Sequence, residues 1–197
     1  MMGKVRMAEF VSYKDHFLIA APNMKDPTFA GTVVYLCEHT KSGAMGIVIN
    51  RSIRLSVESL LQRIGIENKN PALKDVFLYD GGPVQIERGF VLHSANKKYH
   101  STMQVTDQIY LSTSRDVLEA IGACEGAPEK FLLSLGYSGW SEGQLEAELS
   151  VSGWLIAPAD EKIIFDTPIE ERYEKALKLL GIDLTTLEAW GEEVGHA

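Results

Sequence analysis

Cysteine is scarce: Cys37 and Cys124 are the only two in 197 residues, and no C-x-x-C spacing joins them. A disulfide scaffold or a paired-thiolate zinc site is therefore not expected. No apolar run approaches the roughly 18 residues of a spanning helix, since charges or glycines interrupt every hydrophobic segment, and membrane insertion is not expected either. Met1–Phe10 hold no long apolar segment of the kind a secretory leader carries. A reducing cytoplasmic compartment is the expectation. Positive charge is also in deficit, with 19 Lys and Arg against 27 Asp and Glu for a formal net charge of -8. Non-specific nucleic-acid affinity rests on Lys and Arg neutralising phosphates, and the only compact basic run is Lys97, Lys98 and His100. Direct contact with nucleic acid is not expected. Neither G-x-x-x-x-G-K-[ST] nor G-x-G-x-x-G occurs, so no nucleotide cofactor is signalled.

What the chain does have is an ordinary globular balance, 45% hydrophobic and 23% charged residues, in a length that suits one domain over 1–197. His16–Ala21 predicts a strand stopped by Pro22-Asn23. Thr32–Cys37 and Ala44–Ile49 predict an antiparallel hairpin around Thr40-Lys41-Ser42-Gly43. Val57, Leu60, Leu61 and Ile64 fall at helical spacing, with Ser56 as N-cap and Gly65 beyond the end. Asn68–Lys74 reads as loop. Val76–Tyr79 and Gly89–His93 read as short strands, and the connection Asp80–Arg88 is too long for a tight hairpin. Met103–Val105 pairs with Ile109–Ser112, and a short helix opens near Ser114.

Phe131–Leu135 predicts a buried strand, followed by a turn at Gly136–Trp140 and a helix opened by a capping box of Ser141 and Gln144. Trp154–Ala157 and Ile163–Phe165 are the last strands. Thr167-Pro168-Ile169-Glu170 combines a capping box with proline at the first helical position. Gly181 ends that helix, and Asp183–Trp190 adds a final one. Strands dominate the first two thirds and helices the last, without regular alternation, which gives an α+β class.

Ser138, between Gly136 and Gly139, resembles a nucleophile elbow in its strand–turn–helix setting, but Trp140 stands where that elbow needs glycine. The competing reading is a structural turn with Trp140 packed on the core, and a third lets exposed amides hold an anion. Gly81, Gly82 and Arg88 offer backbone amides and a planar donor for an acidic group. The bland counterpart is a turn with Arg88 paired to Glu87 or a distant carboxylate. Cys37 and His39 share a strand face by alternation, and His93 ends another strand, yet no further paired ligands complete a metal site. Acidic pairs such as Glu146 and Glu148 read as solvated helix faces.

Taken in order, His16–Pro22, Cys37-Glu38-His39, Gly43–Asn50, Gly81-Gly82-Pro83-Val84, Arg88–His93, Gly136–Trp140 and Gly143–Glu146 resemble the YqgE/AlgH family, over about residues 16–180. The resemblance implies a bacterial protein with one α+β domain, its bifurcated, mostly antiparallel sheet folded into a pseudo-barrel with helices packed outside. It also implies a regulatory role, including in alginate-related transcription, with no established reaction, cofactor or catalytic residue. The expectation is a noncatalytic binding or regulatory protein without cofactor or metal. Its partner would be a small anionic ligand or a protein tail, and Gly81, Gly82, Arg88, His93, Ser138 and Trp140 are the candidate ligand residues. The alternatives are a hydrolase using Ser138 with His93 as base, or a direct DNA-binding regulator. Oligomeric state is not legible.

Overall fold

The computed structural model describes residues 9–151 and 153–186. His16–Ala20 (β1) and Val33–Thr40 (β2) pair antiparallel and bury both faces. Phe17, Ile19, Tyr35 and Cys37 enter an inner core, while Leu18, Ala20, Val34 and Leu36 enter an outer one. Burial on both sides is why these segments read as unbroken apolar runs. Gly43–Val48 (β3) completes the expected hairpin.

The remaining strands are Ser52–Ser56 (β4), Phe77–Asp80 (β5), Val84–Ser94 (β6), Thr102–Gln104 (β7), Ile109–Ser112 (β8), Phe131–Ser141 (β9) and Trp154–Pro158 (β10). Their order is β10-β1-β2-β3-β9-β6-β8-β7, with β5 joined to β9 and β4 to β5. All pairings are antiparallel except β5 with β9. The sheet curls into a half-barrel around the inner core. Ile163, Ile164 and the helix Arg172–Lys178 (α4), through Ala176 and Leu177, pack into that core.

Two further layers cover the outside. Val57–Arg63 (α1) and Arg115–Ala123 (α2) bury Leu61, Val117 and Ile121 against Leu78, Val91 and Leu133. Gln144–Ser150 (α3) buries Leu145 with Trp140 and Trp154. The α+β class stands, with helices on a largely antiparallel sheet. No helix among the described residues is long and apolar enough to cross a membrane.

Several expected elements change. Gly136–Trp140 is no turn: it lies inside β9, an eleven-residue strand. Val84–Arg88 belongs to β6 as a bulge, because the register with β9 slips between Val84 and Gly89. Ile163–Phe165 is not a strand. Its short apolar run sits in a π-helical turn, Lys162–Asp166, that buries Ile163 and Ile164 end-on. Pro71–Asp75 forms a 3-10 turn within the expected loop.

Helix starts also shift. Ser56 does cap α1, accepting from the Ser59 amide at 3.1 Å. Ser114 precedes α2, but its hydroxyl donates to Asp116 instead of capping. Gln144 reaches back to the Ser141 amide at 3.0 Å, while Gly143 occupies the N-cap. Thr167 donates its hydroxyl to the Lys162 carbonyl, so no capping box forms there. A 3-10 turn, Ile169–Glu171, leads into α4. Gly181 ends that segment at φ +71°. Of the expected helix Asp183–Trp190, residues 184–186 are helical, and residues 187–190 lie outside the described residues.

Candidate functional site

The two glycine-rich segments meet at the fork of the sheet. Around Ser134 and Leu135, β9 is bonded to β5 on one side and β6 on the other, and from Ser138 to Ser141 it is bonded to β3. The chain leaves β5 and crosses the β9 backbone to begin β6. A Cβ on Gly82 would stand 2.2 Å from the Tyr137 carbonyl carbon, and one on Gly81 2.4 Å from the Gly136 oxygen. Only glycine permits that approach, and Gly82 also holds φ +148°. The Gly81 carbonyl then accepts from the Val48 amide at 3.0 Å and from the Ser138 hydroxyl at 3.2 Å. Gly81, Gly82 and Ser138 therefore build the fork itself.

The proposed pairing of Ser138 with His93 is not assembled. Ser138 is wholly buried and spends its proton on Gly81. His93 pairs with Phe131 across the ladder, seven residues from Ser138, or about 20 Å at about 3.3 Å per residue. Its Nδ1–H donates to the Ser94 carbonyl at 2.9 Å, and Nε2 accepts from the Ser112 hydroxyl at 2.7 Å. Burial lowers its pKa, so this is a neutral core histidine.

Trp140 packs into the outer core. Its indole donates to Glu148 Oε2 at 2.6 Å, and the Trp154 indole donates to the same oxygen at 3.2 Å. Cys37 and His39 do not share a face, because a bulge between Leu36 and Glu38 inserts one residue into β2. Cys37 enters the inner core, where burial raises its thiol pKa, while His39 turns toward α3. Sequence alternation could not reveal that bulge. His39 Nδ1 accepts from the Tyr13 amide at 2.9 Å and Nε2–H donates to Glu146 at 2.7 Å, which leaves no lone pair for base catalysis. Burial opposes ionisation of Glu146, but its own backbone amide and His39 outweigh that and lower its pKa. Glu146 is thus bonded into the fold, and Glu148 likewise, where solvated faces were expected.

Beside the fork lies an open groove of about 510 Å³, lined by residues of both glycine segments. Gly139 and Met45 face each other across β9 and β3, Met45 faces Glu38 across β3 and β2, and this row forms the floor. Tyr137 and Phe90, edge to face at 5.3 Å, form the wall. Arg88 stands at the end of the β6 bulge. Its guanidinium lies 5.5 Å from the Phe90 centroid and donates to Gln85 Oε1 at 3.3 Å and Thr113 Oγ1 at 3.1 Å. The expected pairing with Glu87 or another carboxylate is absent: no ion pair among the described residues involves Arg88. Of the six candidates, Arg88 and Trp140 border this groove, Gly81, Gly82 and Ser138 shape the fork beside it, and His93 lies elsewhere.

A family described as AlgH-like matches residues 17–185. The chain belongs to that family. A UPF0301 protein of Paraburkholderia phymatum is 51% identical over 188 residues, covering 95% of this chain and 96% of that one. The solution structure of the AlgH protein from Pseudomonas aeruginosa superposes with a TM-score of 0.77 at 48% identity, covering 94% of this chain and 97% of that one. A crystal structure of a Corynebacterium diphtheriae protein shares the fold at 17% identity and a TM-score of 0.68, covering 87% of this chain and 89% of that one. The AlgH-like family thus accounts for the fold seen here, fork and curl included.

Proposed function

We propose that this AlgH-like protein is a noncatalytic binding protein, and that it takes an anionic group into the groove beside the fork. The observation that carries this reading is Arg88: a permanently charged guanidinium, held over Phe90 and bonded only to neutral oxygens. Two of its five donors are used in those bonds, which leaves three, in the plane of the group, for a carboxylate. Chemistry has less support. Ser138 is buried on a carbonyl, and both nitrogens of His93 and of His39 are committed. A cytoplasmic setting belongs to the same reading, supported by the free thiols of Cys37 and Cys124.

Titration with acetate, followed through the backbone amides of Phe90 and Gly139, tests this. Shifts that saturate in the wild type and vanish in Arg88→Gln are expected. Identical shifts in both proteins, or none in either, would overturn the reading.

A further inference from the structure

Resting on the anion-binding reading of the same groove, we infer that its ligand is a short zwitterionic peptide, with the carboxylate on Arg88 and the ammonium on Glu38. The bulge in β2 is the first reason. Without it Glu38 would share a face with Leu36 and point toward α3; the inserted residue turns it onto the groove face opposite Met45. Glu38 is exposed there, and no ion pair among the described residues involves it. One groove therefore carries a free carboxylate at one end and a guanidinium without a counter-charge at the other.

The spacing between them selects the ligand. The strands that carry Glu38 and Arg88 are three steps apart, β2 to β3 to β9 to β6, or about 14 Å at about 4.8 Å per step. A free amino acid is too short to touch both charges. Four extended residues span about 14 Å. A dicarboxylate would set one charge against Glu38, and a diamine would set one against Arg88.

Between the charges the surface is apolar and open. Gly139 contributes no side chain to the floor, Met45 lies beside it, and Tyr137 and Phe90 stand over them. A Cβ at Gly139 would meet the edge of the Tyr137 ring at 3.2 Å and Val84 Cγ2 at 3.9 Å, both side-chain atoms, and φ there is not positive. The glycine is thus not needed by the backbone at this point, unlike Gly81 and Gly82. Its absent side chain lets the Tyr137 ring lie close over the floor, and an added side chain would push that ring into the path of an apolar peptide.

The probe is the tetrapeptide Ala-Leu-Ala-Ala in free, N-acetylated and C-amidated forms, titrated against the wild type, Glu38→Gln, Arg88→Gln and Gly139→Val while amide shifts are recorded. Acetylation should weaken binding about threefold in the wild type and not at all in Glu38→Gln. Amidation should weaken it about threefold in the wild type and not at all in Arg88→Gln, in keeping with exposed charge pairs. Gly139→Val, shown by its melting curve to be folded, should lose the peptide. Acetylated peptide binding the wild type as well as free peptide would overturn the zwitterion while leaving the anion reading intact, and so would acetate binding without peptide binding. Insensitivity to amidation and to Arg88→Gln together would remove both.

Discussion

His93 is a neutral imidazole held between the Ser94 carbonyl and the Ser112 hydroxyl, with Tyr99 and Tyr110 rings 5.6 and 6.0 Å away. Burial lowers its pKa from the ordinary 6.5. The unfolded chain then binds the extra proton first as pH falls. Stability is fully present above about pH 6.5 and is lost as pH drops below it, with a slope of at most about 1.4 kcal/mol per pH unit. Urea unfolding at pH 7.5, 6.5 and 5.5 should show the wild type losing ground relative to His93→Gln, and parallel curves would contradict this. The lowered carboxylates of Asp116 and Glu146 act in the same direction but titrate at lower pH. The sequence marked His93 as a strand-end histidine and could not separate a ligand from a core residue, since both are polar groups that need partners. Gly81 and Gly82 show the same limit: a tight turn and a close backbone crossing both demand glycine, and only the path of β9 tells which.

The helix α3 is short, and two carboxylates attach it: Glu146 accepts from His39 on β2, and Glu148 gathers a second set of bonds. Glu148 accepts from the indoles of Trp140 on β9 and Trp154 on β10, while Gln144 donates to its other oxygen at 3.4 Å. Seven helical residues have little stability alone, so these bonds and buried Leu145 hold α3 on the sheet. Glu148→Ala should destabilise the fold by about 2 kcal/mol, through loss of charge-assisted bonds to two buried indoles, and should red-shift tryptophan emission. Unchanged emission would mean that Leu145 and the Glu146–His39 bond fix the helix without Glu148. Periodicity made α3 and α1 legible because each buries one stripe, and the β2–β3 hairpin was legible as two apolar runs around a turn because β2 is buried on both faces. Periodicity missed β4, whose Ser52–Ser56 alternates weakly at the sheet margin, and misread Ile163–Phe165, where three apolar residues fit a π-turn as well as a strand. The bulges in β2 and β6 left no signal in composition, yet they turn Glu38 toward the groove and set Arg88 at its end.

The half-barrel is completed by α4, whose seven residues come from the far end of the described chain. Arg172 is 4% exposed and bonds across the sequence: Nε donates to the Thr167 carbonyl at 2.9 Å, and Nη1 to the Ile49 carbonyl at 2.6 Å and the Tyr79 hydroxyl at 3.0 Å. The guanidinium also lies 5.4 Å from the Tyr79 centroid. Ala176 and Leu177, both at 0% exposure, sit in the same inner core as Phe17, Ile47 and Leu132. A plug that shares the core of β1, β3 and β9 cannot leave without opening it, so α4 should unfold with the sheet and not before it. Arg172→Met keeps most of the packing volume but strands the Ile49 carbonyl and the Tyr79 hydroxyl, at a loss of about 2 kcal/mol. In a Trp190→Phe background its urea midpoint should fall equally by tryptophan emission, which then reports on Trp140 and Trp154 on the outer face of the sheet, and by far-ultraviolet circular dichroism. A drop in the dichroism midpoint with the tryptophan transition left in place would make α4 a separate unit docked on an already stable barrel.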